Sequence, residues 1–93
     1  MKIKSSIREK YMELCPASTM KCSSFEEIDY KIRRAVEIGH VMKTYPQREI
    51  QYHNLRFIVK DERVVDMFKN DQYIAVSEYK KSVHECKYYK IVV

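Results

Sequence analysis

The sequence predicts an α+β domain: two N-terminal helices packed on one face of a four-stranded antiparallel meander sheet. Three observations carry this expectation. Two hydroxyl–carboxylate capping signals, Ser6 to Glu9 and Ser24 to Glu27, each precede apolar residues at helical spacing. Leu55, Phe57 and Val59 alternate with Asn54, Arg56 and Lys60, the period of a half-buried strand. After them, Tyr- and Val-rich runs alternate with short polar breaks, as in successive hairpins.

Met1 to Lys4 reads as an edge strand or a frayed start. Ile7, Tyr11 and Leu14 give a first helix from Ser6 to Cys15. Pro16 ends it, because proline disfavours helical geometry in the residue before it. Pro16 to Ser23 reads as a polar loop. Phe25, Ile28, Ile32, Ala35 and Val36 form the stripe of a second helix, with Glu26, Glu27 and Asp29 near its positive end. Gly39, the only glycine, sits where a helix takes a left-handed closing residue.

His40 to Tyr45 reads as extended and Pro46 to Arg48 as a turn. The central hairpin follows. Asp61-Glu62 lacks the glycine that two-residue primed turns prefer, so a longer or type I turn is expected there. A helix from Asp61 to Asn70 is the competing reading, since Val64, Val65 and Phe68 also fit helical spacing. Lys69 to Gln72 reads as a turn and Tyr73 to Tyr79 as the third strand. Lys80 to Ser82 reads as another turn, and Val83 to Val93 as the fourth strand.

At 93 residues one domain is expected, and the net charge of +5 suggests an anionic partner such as nucleic acid, with solubility alone as the other account. The three cysteines, Cys15, Cys22 and Cys86, are an odd number at irregular spacing, not a disulfide framework. With no secretory segment read at the N-terminus, a reduced cytoplasmic setting is expected. No apolar run approaches the ~20 residues that span a bilayer, so no membrane partner is expected. Cys15, Cys22, His84 and Cys86 lack the close-spaced pairs of a structural zinc site, so no metal is expected. There is no glycine-rich phosphate loop, paired-carboxylate pattern or nucleotide fingerprint, which argues against an ATP- or NAD-dependent enzyme, and no cofactor is expected.

Ala35 to Met42, Tyr45-Pro46, Tyr52 to Val59 and Arg63 to Phe68, taken together, resemble small proteins of the RelE-like toxin superfamily. The likeness is to its BrnT-type branch and related uncharacterised domains. It covers about half the chain and is a pattern of residue types. It implies metal-independent RNA cleavage on a helix–helix–sheet scaffold. Thr19-Met20-Lys21-Cys22 carries neither the His nor the Arg often found before the second helix in that branch.

Such cleavage needs a base for the 2′-hydroxyl, an acid for the leaving oxygen and cations for the phosphorane charge. His53, Arg56 and His84 are the candidate catalytic residues. On strand parity Tyr52, Asn54, Arg56, Ile58 and Lys60 share the face away from the helices. Arg56 and Lys60 are then phosphate contacts and Tyr52 a stacking surface. The bland alternative is a solvated sheet face. His53 has the parity of the core face, as a half-buried histidine or an acid–base group. His84, Tyr88 and Lys90 share one face of the last strand, with Tyr89, Ile91 and Val93 preferred as its core side. His40, next to Gly39, reads as a helix-terminal residue.

Two functions follow. One is a small RelE-like ribonuclease or RNA-binding toxin, with RNA and an antitoxin as partners. The other is a non-enzymatic phage-type inhibitor of a host or defence complex, using the eight tyrosines and a free sheet edge. A homodimer through an edge strand is a further outcome of that edge.

Overall fold

The long helix begins where its capping signal places it. Ser24 Oγ accepts the Glu27 backbone N–H at 3.3 Å, and Glu26 and Glu27 occupy the first turn. The Glu27 carboxylate accepts from the Ser23 backbone N–H at 2.7 Å and the Ser23 hydroxyl at 3.0 Å, so the reciprocal half of the box falls one residue early. These bonds hold the Glu27 carboxyl below its usual range.

The computed structural model describes residues 1–88, with side chains through 86. Its elements are α1 (Ser5–Leu14), α2 (Pro16–Met20), α3 (Phe25–Ile38), β1 (His40–Lys43), β2 (Arg48–Lys60), β3 (Arg63–Ile74) and α4 (Glu78–Tyr88). The strands form one antiparallel sheet in the order β1-β2-β3. α1 and α3 cover one face of it. Ile7, Tyr11, Ile32 and Val36 meet Ile50, Leu55, Phe57, Val59 and Met67 in one cluster. Arg8 ties the two helices, its Nε and Nη2 each donating to the Asp29 carboxylate at 2.8 Å. That fork-to-fork geometry is the strong form of an ion pair.

Among the described residues, the expected two helices and four strands become four helices and three strands. Lys69 to Gln72, expected as a turn, continues β3 to Ile74. The segment expected to form the third strand from Tyr73 to Tyr79 therefore only finishes β3 and then leaves the sheet. Lys80 to Ser82 and the start of the expected fourth strand lie in α4, whereas residues 89–93 fall outside the described part. Ser77 explains the helix. Its hydroxyl accepts from Lys80 N at 3.2 Å, and its carbonyl accepts from Lys81 N at 3.2 Å. Val76, 6% exposed, anchors the entry in the core.

Three local expectations are also corrected. α1 starts at Ser5 after Lys4, with no side-chain cap, so the Ser6–Glu9 signal does not form a box. The Pro16 to Ser23 loop contains α2, for which Pro16 supplies the first position. Gly39 is extended, with φ −68° and ψ 172°, not left-handed. Glycine is needed there for closeness: a Cβ would lie 2.6 Å from the Ala35 carbonyl oxygen and 2.6 Å from Ile50 Cγ2.

Candidate functional site

The two ends of the β2–β3 hairpin are built differently. Near the turn, Lys60 pairs with Arg63, and Asp61 and Glu62 both have positive φ, 51° and 59°. That is the backbone of a primed two-residue turn, made without glycine, and it replaces the longer turn the sequence suggests. At the far end the register jumps. His53 pairs with Ile74, but Leu55 pairs with Lys69, so two steps along β2 oppose five along β3. His53 itself has φ 54°.

This irregularity shifts the parity of β2. Ile50 and Tyr52 face the core before it, and Leu55, Phe57 and Val59 face the core after it. Tyr52, expected on the open face as a stacking surface, is therefore in the core and 8% exposed. Ile58 is on the open face as expected but is also buried, at 8% exposed.

Backbone groups loosened by the jump need partners. Gln51, fully buried, supplies them. Its Nε2 donates to the carbonyls of His53 at 2.6 Å and Gln72 at 2.9 Å, and to Asn70 Oδ1 at 3.0 Å. Its Oε1 accepts from Asn70 Nδ2 at 3.0 Å and Arg56 Nε at 2.8 Å. Arg56 also donates to Glu49 Oε1 at 2.8 Å and Gln72 Oε1 at 3.4 Å. In a straight strand Glu49 and Arg56 would have Cα atoms roughly 23 Å apart, beyond the reach of their side chains. The bulge bends β2 enough for them to meet. Arg56 is thus a member of a structural network, its guanidinium already engaged, and not the exposed phosphate contact the sequence suggests.

Beside this network stands an aromatic stack. The His53 ring lies between Tyr52, at 4.4 Å and 29°, and Tyr73, at 5.3 Å and 17°. Tyr73 is 64% exposed, so the stack ends in an open ring face. α4 brings charge to it. Lys81 Nζ sits 5.7 Å from the Tyr52 ring centroid. His53 is held below the ordinary histidine range of 6.5, first by burial and then by the positive charge of Lys81, with a smaller push from Arg34 and an opposing pull from Glu78. Its imidazole is neutral at pH 7.

His84 lies three residues beyond Lys81 on α4, the spacing that places two side chains on one helix face. Its Nδ1 meets the Tyr30 hydroxyl at 3.2 Å, and its Nε2 pairs with the Glu37 carboxylate. The Arg34 guanidinium carbon stands 5.7 Å from the Tyr30 ring centroid. A groove of about 450 Å³ runs on from His84 between the end of α3 and α4, lined by Glu37, Gly39, Tyr79 and Val83.

The structure thus sets His53 of β2 near Lys81 of α4, seats His84 one turn further along α4 against Tyr30 and Glu37 of α3, and sends Arg56 elsewhere. His84 stands on a helix, not on the expected strand. Lys60 is exposed at the opposite, turn end of the hairpin. Tyr88 is the last residue of α4, its side chain outside the described part, and Lys90 lies outside the described residues. His40 sits at the start of β1, its Nε2 facing the Ala75 carbonyl at 3.0 Å. Sequence reading missed Tyr30, Arg34, Glu37 and Lys81. The spacing of Tyr30 and Arg34, four apart and off the apolar stripe of α3, was the available signal.

Among the described residues, no three His, Cys, Asp or Glu side chains gather as metal ligands do, and Cys15, Cys22 and Cys86 are free thiols. Also among the described residues, no helix is long and apolar enough to cross a membrane. No family model, curated protein or solved structure matches the chain.

Proposed function

We propose that the protein binds single-stranded RNA at the His53–Tyr73 corner and cleaves it without a metal, in the manner of RelE-like toxins. The observation that carries this reading is the stack of Tyr52, His53 and exposed Tyr73 beside Lys81 and Arg34. An open aromatic face next to cations suits a strand whose bases stack and whose phosphates need neutralising, with stacking worth about 1–3 kcal/mol per base. His53 is the base. Neutral at pH 7, it can take the proton of a 2′-hydroxyl as the 2′-oxygen bonds to phosphorus and the bond to the 5′-oxygen breaks. His84, in its imidazolium form and oriented by Tyr30 and Glu37, turns from Glu37 to give its Nε2 proton to the 5′-oxygen, and His53 then releases the proton it took to water. Arg34 and Lys81 take the charge-stabilising role that Arg56, held in its network, does not fill.

The test is incubation of the purified protein with labelled single-stranded RNA in EDTA, beside His53→Gln and Tyr73→Ala. The expected result is cleavage ending in a 2′,3′-cyclic phosphate. Loss is expected to be at least a hundredfold in His53→Gln, with weaker binding in Tyr73→Ala. Binding without cleavage would keep the RNA site and remove the enzyme; neither binding nor cleavage would remove both.

A second reading, a protein-binding inhibitor, draws on a different surface. Val65 and Phe68 on β3 are 42% and 41% exposed, and among the described residues β1 and β3 are both sheet edges. It predicts stoichiometric capture of one protein partner that is lost in Phe68→Asp and kept in His53→Gln.

A further inference from the structure

Arg34 stands on α3 beside the Tyr30 ring. Among the described residues no carboxylate pairs with it, and its Nε is buried with no hydrogen-bond partner. Leaving a charged donor unsatisfied costs free energy, and such a group calls for an explanation. Its neighbours do not supply one. Tyr30 offers a ring face. Two acids of α3 and α4 are engaged elsewhere, Glu37 with His84 and Glu78 with Lys81 at 3.3 Å.

The same corner collects further positive charge. Lys81 comes from α4 and Arg34 from α3, and both act on the neutral His53 imidazole of β2. Cations converging from separate elements repel one another unless an anion sits among them. Arginine, with its planar fork of donors, is the side chain best matched to a phosphate.

We infer that Arg34 is the seat of one RNA backbone phosphate, with Lys81 as its second cation. The nucleotide attached to that phosphate rests its base on the exposed face of Tyr73. A small turn of the guanidinium onto the phosphate gives Nε the acceptor it lacks, while the Tyr30 ring keeps the group in place. This rests on the RNA-binding reading above and adds to it the residue that holds the backbone. The ligand chemistry is a phosphodiester, and inorganic phosphate shares enough of it to serve as a separate probe.

The test combines two readouts on wild type, Arg34→Gln, Arg34→Lys and the exposed control Lys21→Gln. The first is affinity for a fluorescent oligouridylate across a salt series. Losing one phosphate contact on a single strand is expected to reduce the salt slope by about 0.7. Arg34→Gln should show that drop and bind about tenfold more weakly, Arg34→Lys should recover the slope, and Lys21→Gln should match wild type. The second readout is the shift of melting temperature with added phosphate, expected in wild type and absent in Arg34→Gln.

If wild type binds RNA and Arg34→Gln keeps its slope, the inference is overturned and RNA binding stands. If wild type ignores RNA but phosphate stabilises it and not Arg34→Gln, the anion seat stands and the RNA reading falls. If neither probe acts on wild type, both are overturned. Should Arg34→Gln fail to fold, the uncharged Arg34→Met decides: an unchanged salt slope together with an unchanged phosphate shift would overturn the inference.

Discussion

The two ends of one hairpin use backbone strain for different purposes. At the turn, Asp61 and Glu62 take positive φ, and the result is a closed ladder with Lys60 opposite Arg63. At the other end His53 takes positive φ, and the result is an open ladder, a buried amide network and an aromatic stack beside cations. The first strain only returns the chain. The second creates a surface, and costs stability that Gln51 partly restores by bonding the loosened carbonyls. Strained backbone of the second kind is more often found where a protein acts.

The largest effect is expected where the open end is held together. Gln51→Leu keeps the volume but strands the His53 and Gln72 carbonyls, Asn70 and Arg56, and should cost roughly 3 kcal/mol or more in a urea melt. A loss under about 1 kcal/mol would mean that water serves those groups equally well. Next is Arg56→Ala, expected to cost roughly 2–3 kcal/mol because half-buried Glu49 is left with only its longer pair to Lys43 at 3.8 Å. If Arg56→Ala instead abolished RNA cleavage with an unchanged melt, the residue would be chemical and the network incidental.

Glycine separates the two strains. Asp61→Asn with Glu62→Gly should raise stability by about 1 kcal/mol, since left-handed geometry costs L-residues energy that glycine avoids. His53→Gly relieves the same geometry but removes the stack. It should leave the melt nearly unchanged while RNA binding falls, and intact binding would separate the bulge from the function.

The smallest effect is in pH. His53 is depressed in the folded chain, so the unfolded chain holds more protons just below the ordinary value of 6.5. Stability should therefore fall as pH drops below 6.5 and level off below the folded value. His53→Gln should flatten that part of the profile. Asp66, lowered by its bond from Lys10, adds a separate loss at more acid pH, below its ordinary 3.8.

This contrast also explains which parts the sequence made legible. α3 and the middle of the hairpin are local: Ser24 caps, and Phe57 and Val59 alternate, whatever the rest of the chain does. The site is not local. Parity counted outward from Leu55 puts Tyr52 on the wrong face, because the extra residue at His53 leaves no glycine or proline to mark it. The run from Val83 to Val93 is rich in Tyr and Val and reads as a strand, yet Ser77 caps its start into a helix that docks through His84 on Tyr30 and Glu37. Lys81 and Arg34 come together only after that docking, so neither drew attention as a site residue. The sequence marks His53 and His84 as candidates one by one, and the helix that seats His84 is not legible in it.

The most direct test of the contrast is a nuclear magnetic resonance titration with a short oligouridylate, following side-chain and amide signals along both ends of the hairpin. The expected result is that Tyr73, His53 and the Arg34 side chain shift first and saturate together, with Lys60 to Arg63 unmoved. Shifts centred on the Asp61–Glu62 turn, or on Val65 and Phe68, would contradict the assignment of function to the bulged end.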